Sequence, residues 1–166
     1  MIGEHLSIAS LPGMFERTLT LSSSGKTFSN TGWKVGWAVG PPHLVKAVTA
    51  VQQWVNFSTP TPNQEAVARC LVIAEEPYSI DGKTYETYYD YLSNSYKEKR
   101  DLLITALESA GIKPIIPNGG FFIIGDTAKI ACPDSYLAET TEASPDPMTR
   151  DWALSRYMTK GETTFI

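Results

Sequence analysis

The sequence predicts an α/β fold, in which short strands and amphipathic helices follow one another along the chain. Two observations predict it. Apolar residues recur at three-and-four spacing in three segments, and short β-favouring runs stand before and after those segments. Gly, Pro and Asn-Gly pairs lie between the runs, where turns are needed. The hydrophobic share of 42%, to which the 12 glycines add about 7%, is that of an ordinary globular protein.

Two strand candidates flank a small polar loop near the start of the chain. Residues 18–21, Thr-Leu-Thr-Leu, alternate polar and apolar side chains as a half-buried strand does. Residues 35–39 form the second candidate. It ends at Gly40-Pro41-Pro42, because proline cannot continue a ladder of backbone hydrogen bonds. The loop between the two strands therefore becomes a candidate for chemistry.

Two helices are predicted after the second strand. The first follows Pro41 and Pro42, and its apolar face comprises Leu44, Ala47, Val48, Val51 and Val55. The second begins near Pro62, where Thr61 and Gln64 have the spacing of a capping box. Its buried face would comprise Ala66, Val67, Cys70, Leu71 and Ala74.

The longest periodic segment is a helix from about Tyr85 to Ala110, after a turn at Asp81-Gly82. Gly111 is placed to cap its C-terminus. Its apolar stripe comprises Tyr89, Leu92, Tyr96, Leu103 and Leu107.

The remainder of the chain is predicted as a hairpin, a loop and a final helix. Residues 115–116 and 121–124 read as strands around a turn at 117–120, so Phe121 and Phe122 would lie in a strand. Residues 129–147 read as a surface loop, followed by a helix from about 148 to 159 that Gly161 would end. The apolar residues 163–166 read as a further strand.

Charge and composition exclude several classes of function. Fourteen Lys and Arg against eighteen Asp and Glu give a net charge of -4, so we expect neither nucleic acid nor membrane as a partner. No apolar run approaches the roughly 20 residues of a membrane-spanning helix, and the start lacks a secretory signal. Cys70 and Cys132 form no CxxC pair, so no metal site is expected. These features predict a soluble intracellular protein, in the cytoplasm or mitochondrion.

The segment from Ser22 to Trp37, SSSGKTFSNTGWKVGW, carries the candidate chemistry. Ser23 and Lys26 fit S-x-x-K, in which a lysine helps to activate a serine for acyl transfer, although the accompanying K-T-G and S-D-N elements are absent. Gly25-Lys26-Thr27 matches the last residues of a phosphate-binding P-loop, but Thr20 occupies the position where the first glycine of that motif is required. The acyl-transfer alternative stays open, and the P-loop is rejected.

The same segment resembles the lysine segment of the aspartate-aminotransferase superfamily, with Ser23-x-x-Lys26 followed by Lys34 in TGWKVGW. Three stretches, SIASLPGM, ERTLTLSSSGKTFSNTGWKVGWAVGP and KPIIPNGGFFII, are similar to the kynurenine aminotransferases that double as cysteine-S-conjugate β-lyases. The resemblance implies pyridoxal 5'-phosphate as cofactor. It also implies transamination between an amino acid such as kynurenine or glutamine and a 2-oxo acid, with β-elimination as a side reaction.

The resemblance also implies roles for individual residues. Lys26 would hold the cofactor aldehyde and move the substrate α-proton, while Ser23 and Lys34 would bind the cofactor phosphate. A second cation such as Lys34 favours the neutral amine that Lys26 needs for this chemistry. Phe57 and Ser58 would reach into the neighbouring active site of a homodimer.

The family architecture implies that residues 1–110 belong to a large cofactor domain with a mostly parallel sheet and an interdomain helix. Residues 111–166 would begin a smaller α+β domain. The acidic residue for the pyridine nitrogen and the arginine for the substrate carboxylate have no counterpart here. The chain is therefore expected to be the middle-to-late part of a longer aminotransferase, with little activity alone. A non-catalytic product that pairs with a full-length subunit through residues 40–62 is the alternative.

Overall fold

The computed structural model describes residues 5–140 and 146–160, and the chain divides into two compact units, Met1–Lys97 and Glu98–Ile166. The division lies inside the longest helix. The domain boundary predicted between residues 110 and 111 lies at the C-terminal end of the same helix and stays a prediction. None of the helices in the described ranges is both long enough and apolar enough to cross a membrane.

An antiparallel strand pair organises the start of the first unit. Strands β1 (Thr20–Ser23) and β2 (Gly36–Val39) are aligned so that Ser23 lies opposite Gly36. The prediction that β1 begins at Thr18 is wrong by two residues. The Thr18 amide donates to the Phe15 carbonyl and its hydroxyl donates to the Met14 carbonyl, so Thr18 closes a preceding 3₁₀ turn instead.

Glycine is required on β2 and just after it because the neighbouring backbone passes very close. A Cβ atom at Gly36 would lie 2.9 Å from the Ser22 carbonyl oxygen, and one at Gly40 would lie 2.8 Å from the Thr18 oxygen. Both distances are shorter than real Cβ contacts. The strand pair can therefore close only with glycine at these two positions.

Two helices follow, as predicted: α2 (Pro42–Val55) and α3 (Thr61–Ile73). Of the face predicted for α3, Val67 and the following Ala74 are buried. The predicted capping box is wrong, because Pro60 takes the N-cap position and Thr61 is already helical. Gln64 instead donates its side-chain amide to the Thr59 carbonyl over 2.7 Å.

A short hairpin comes before the long helix and was not foreseen. Strands β3 (Tyr78–Ile80) and β4 (Lys83–Tyr85) pair around Asp81 and Gly82, both of which have positive φ. Helix α4 (Tyr88–Ser109) therefore begins three residues later than predicted, since Tyr85 belongs to β4.

Gly111 caps α4 as predicted, with φ 76°. The Ile112 amide donates to the Leu107 carbonyl and the Gly111 amide donates to the Glu108 carbonyl, which is the Schellman arrangement. The stripe predicted for α4 is only partly covered, since Tyr96 and Leu103 are exposed.

The second unit contains one antiparallel strand pair, β5 (Lys113–Ile115) and β6 (Ile124–Asp126). The strand predicted at 115–116 is wrong at Ile116, and the strand predicted at 121–124 is wrong at 121–123, which includes Phe121 and Phe122. They lie in the loop between β5 and β6, with 47% and 76% of their surface exposed. Gly120, with φ 78°, breaks the extended conformation just before them.

Two helices complete the second unit. Helix α5 (Asp134–Leu137) lies inside the predicted surface loop, which is therefore wrong at these four positions. Helix α6 (Arg150–Lys160) matches the last predicted helix and buries Ala153 and Leu154. Gly161 and the strand predicted at 163–166 lie outside the described residues.

Helices and strands are mixed along the chain, as the predicted α/β class requires. The strands of the described residues form three separate antiparallel pairs. The mostly parallel sheet that the resemblance implies is thus not formed among them.

Candidate active site

The polar loop between β1 and β2 is closed at its base by one carbonyl group. The Ser24 amide and the Ser24 hydroxyl both donate to the Val35 oxygen, over 3.1 and 3.0 Å. Ser24 is completely buried and Val35 is nearly so. These bonds continue the pairing of Ser23 with Gly36 and bring the two ends of the loop together.

Lys26 lies on α1 (Ser24–Thr27), a single helical turn that starts directly at the end of β1. Ser23 is its N-cap, and the Ser23 hydroxyl oxygen accepts the Gly25 amide over 3.2 Å. The Thr31 hydroxyl donates to the Gly25 carbonyl over 3.1 Å. A Cβ at Gly25 would lie 3.1 Å from the Thr31 Cα, so glycine permits this close approach.

Lys34 has a left-handed backbone, with φ 55° and ψ 39°, at the end of a 3₁₀ turn over Thr31–Trp33. For a residue with a Cβ this conformation costs about 1 kcal/mol. The Asn63 side-chain amide donates to the Trp33 carbonyl over 3.2 Å and so holds the peptide unit just before Lys34. One contact from outside the loop thus holds the backbone next to its second lysine.

Ser23, Lys26 and Lys34 line one surface depression of about 320 Å³. The other lining residues are Gly25, Thr31, Val35 and Gly36. Two lysines and two hydroxyl-bearing residues therefore border a common space, and none of these seven lining residues carries a carboxylate. The structure brings together all three residues that the sequence predicted for cofactor binding.

The residues of this depression fit a ligand that has both a phosphate and an aldehyde. One ammonium group suits a phosphate, and a second amine suits the aldehyde. Gly25 and Gly36 add no side chains that would fill the space. The donor set is therefore suited to pyridoxal phosphate, whose site would be this loop.

Phe57 and Ser58 do not line this depression. Phe57 follows the C-terminal end of α2 with φ 62°, and 83% of its surface is exposed. The Ser58 amide donates to the Asn56 carbonyl over 2.8 Å and tightens the turn after the helix. Both side chains are exposed on the surface of the first unit.

Sequence reasoning did not single out three residues that support the loop: Thr31, Asn63 and Tyr88. Thr31 lies inside the motif, but no sequence pattern predicts its hydrogen bond to a backbone carbonyl. Asn63 donates a hydrogen bond to the Trp33 carbonyl, 30 positions away in sequence. Tyr88 donates one to the Thr27 carbonyl, 61 positions away. No local signal identifies such distant partners.

Comparison with known proteins identifies the relatives of this chain. The family model described as Aminotransferase class I and II matches residues 3–156. The kynurenine–oxoglutarate transaminase of Dictyostelium discoideum is 45% identical over 156 residues, 94% of this chain and 34% of that protein. Kynurenine–oxoglutarate transaminase 3 of Homo sapiens is 42% identical over 95% of this chain and 32% of that protein. The chain thus spans about a third of the length of these curated relatives.

Solved structures give the same result. YbdL from Escherichia coli, described with a methionine aminotransferase function, has a TM-score of 0.65 at 32% identity, over 76% of this chain and 30% of that one. An aspartate aminotransferase mutant from Thermus thermophilus has a TM-score of 0.64 at 31% identity, over 78% and 31%. The α/β class and the resemblance to aminotransferases are confirmed.

Proposed function

The chain belongs to the aminotransferase class I and II family, and we propose that its lysine loop binds pyridoxal phosphate for the transfer of an amino group. Family members depend on this cofactor. The observation that carries the proposal is the shared depression, which Ser23, Lys26 and Lys34 all line although Ser23 and Lys34 are eleven positions apart in the sequence.

Lys26 is the catalytic residue in this proposal. When bound, pyridoxal phosphate supplies an aldehyde that condenses with amines and a ring that delocalises the electron pair left on the substrate α-carbon. The Nζ atom of Lys26 would hold the aldehyde and would move the substrate α-proton. Its backbone lies in a single turn that Ser23 caps and that Thr31 contacts at Gly25.

Ser23 and Lys34 orient the phosphate. The Ser23 hydroxyl oxygen accepts the Gly25 amide, and the hydroxyl donates to the Val35 carbonyl over a long 3.5 Å, a bond that it would exchange for one to the phosphate. Lys34 contributes the positive charge, and its strained backbone is compensated by the bonds around the 3₁₀ turn. Both residues line the depression that Lys26 also lines.

The names of the relatives suggest kynurenine and 2-oxoglutarate as substrates for this chain. Curated relatives named kynurenine–oxoglutarate transaminase are 38–46% identical to this chain, which is higher than the 32% of the methionine aminotransferase structure. We extend the proposal to glutamine as an amino donor and to β-elimination from cysteine S-conjugates. Each of these uses the same removal of an α-proton by Lys26.

Covalent trapping tests the assignment of Lys26. Purified chain is incubated with pyridoxal phosphate and reduced with borohydride, and the modified lysine is mapped by peptide mass spectrometry. The label is expected on Lys26 and is expected to disappear in Lys26→Arg. Lys46→Arg on α2, which lies outside the depression, is the matched control and should keep the label.

Other outcomes decide against the proposal. A label on another lysine refutes the site, and labelling that is equal in all three proteins shows unspecific reaction. An acylating serine probe separates the S-x-x-K alternative, since modification of Ser23 by that probe would support acyl transfer. Formation of glutamate from 2-oxoglutarate and kynurenine, followed by chromatography, tests the substrate assignment.

The exposed surface of α2 supports a second role, pairing with another subunit. Val51, Trp54, Val55 and Phe57 have 63%, 87%, 70% and 83% of their surface exposed. Large exposed apolar patches mark interfaces. In a homodimer, or in a pair with a full-length subunit, Phe57 and Ser58 would then reach the neighbouring lysine loop.

Light scattering tests the pairing. Trp54→Glu is expected to shift the chain from dimer to monomer, because it places a charge in the centre of the apolar surface. Gln53→Glu adds the same charge beside it and should leave the dimer intact. A monomeric unchanged chain that also fails to associate with a full-length relative contradicts the pairing.

A further inference from the structure

The Tyr88 hydroxyl connects the start of α4 to the turn that carries Lys26. It donates to the Thr27 carbonyl over 2.8 Å, in a partly buried position. Thr27 is the last residue of α1 and the direct neighbour of Lys26. The last carbonyl groups of a helix have no hydrogen-bond donor within the helix. Tyr88 therefore supplies a donor to a carbonyl that α1 itself leaves without one.

Helix α1 needs such support because it is only four residues long. Its closing backbone bond runs from the Phe28 amide to the Ser24 carbonyl over 2.8 Å. A single turn is unfavourable in isolation, since several backbone angles are fixed for one hydrogen bond. Ser23 holds its N-terminal end, and Tyr88 holds its C-terminal end.

Tyr88 is itself fixed by an aromatic cluster in the first unit. Its ring stacks on Phe28 at 5.7 Å and meets Tyr78 edge-on at 5.2 Å and Tyr91 at 5.9 Å, all between ring centroids. Its amide donates to the Ala74 carbonyl over 3.0 Å. Burial, and then the neighbouring tyrosines, raise the pKa of the Tyr88 phenol above its usual value. The hydroxyl therefore stays protonated and remains a donor.

We propose that Tyr88 is a positioning residue for Lys26, whose hydroxyl fixes the Thr27 carbonyl and thereby the direction of the lysine amine. The inference rests on the proposed function, because it assigns a positioning residue to the lysine whose amine would hold the aldehyde. It goes beyond that function by placing a determinant of the site on α4, sixty-one residues away.

Tyr88→Phe tests the inference because it removes the hydroxyl and retains the ring. Tyr91→Phe is the matched control, since it removes a hydroxyl from the same aromatic cluster without touching α1. Affinity is measured for pyridoxal phosphate and for pyridoxal through the visible absorbance of the bound aldehyde, from pH 6 to 9. Tyr88→Phe is expected to raise both Kd values roughly three- to tenfold and to shift the pH profile, and Tyr91→Phe to change neither.

Two further measurements separate positioning from general stability. Amide hydrogen exchange at Phe28, in the protein without cofactor, is expected to accelerate in Tyr88→Phe alone. Introduction of 4-aminophenylalanine at position 88 restores a donor on the ring and is expected to restore affinity. This rescue keeps the inference testable even if Tyr88→Phe folds poorly.

Each result decides the matter. Unchanged affinity and pH profile in Tyr88→Phe, or equal losses in Tyr88→Phe and Tyr91→Phe, overturn the positioning role while trapping on Lys26 stands. Failure of the 4-aminophenylalanine rescue overturns it as well. If the unchanged chain is not labelled on Lys26, the proposed function fails, and this inference fails with it.

Discussion

The Asn63 side-chain amide donates to the Trp33 carbonyl, with 3.2 Å between nitrogen and oxygen. This bond joins α3 to the peptide unit immediately before Lys34, the residue to which phosphate binding is assigned. Because Lys34 has a left-handed backbone, its direction depends on how that peptide unit is held. Asn63 therefore influences one lysine of the loop, while Tyr88 contacts the turn of the other.

Asn63→Ala is expected to weaken the binding of pyridoxal phosphate and to leave that of pyridoxal unchanged. Loss of one hydrogen bond corresponds to a roughly two- to tenfold higher Kd, and only the phosphate-bearing ligand uses Lys34. Absorbance titration with both ligands measures the difference. Gln64→Ala is the control, because Gln64 bonds to the Thr59 carbonyl instead. Equal weakening for both ligands would contradict the assignment of Lys34 to the phosphate.

Gly36→Ala is expected to destabilise the first unit by about 1–3 kcal/mol, because the added Cβ would press on the Ser22 carbonyl at 2.9 Å. The strands would have to separate, which also disturbs the pairing of Ser23 with Gly36. Thermal unfolding followed by circular dichroism measures the change. Gly119→Ala, with no atom within 4 Å of its Cβ, should unfold as the unchanged chain does. A comparable loss in both variants would show that the close strand contact is not the cause.

Ser24→Ala is expected to cost about 1 kcal/mol of unfolding free energy. The cost is moderate because the Val35 carbonyl keeps the Ser24 amide as a donor when the hydroxyl is removed. Chemical denaturation gives the value, and Ser22→Ala, at an exposed position, is the control. A loss well above 2 kcal/mol would indicate a larger structural role for the buried hydroxyl than one hydrogen bond.

Local features of this structure could be predicted from neighbouring residues, and the residues of the candidate site from the resemblance to a family. The Gly111 cap and the Pro41-Pro42 helix start depend on a few consecutive residues, so they were predictable. Ser23, Lys26 and Lys34 lie in one short motif, and their meeting in one depression follows from the closure of that loop.

Long-range contacts account for what the sequence did not predict. Tyr88 fits the helical spacing of α4, and that spacing hides its bond to Thr27. Phe121 and Phe122 have the composition of a strand, but the loop between β5 and β6 keeps them exposed. In the second unit the Arg100 guanidinium donates to the Pro117 carbonyl over 3.2 Å and so fixes the start of that loop. No pattern of neighbouring residues encodes such a bond.

Acid is expected to weaken the second unit through Glu139. Its carboxylate accepts two hydrogen bonds from Arg156, one of them 2.7 Å from Nε to Oε2, and these bonds lower the pKa of Glu139 below 4.5. A carboxyl with a lowered folded pKa stabilises the fold above its unfolded value, and that contribution is lost as pH falls through the folded value. Glu139→Gln should therefore melt at a lower temperature than the unchanged chain at pH 7, and the difference should shrink below pH 4.5.

Glu65→Gln is the control. The side chains of Glu65 and Arg69 on α3 form an ion pair, but 62% and 75% of their surface is exposed, so the pair contributes little to stability. A difference between Glu139→Gln and the unchanged chain that persists at low pH would mean that the substitution acts through packing rather than through the ion pair.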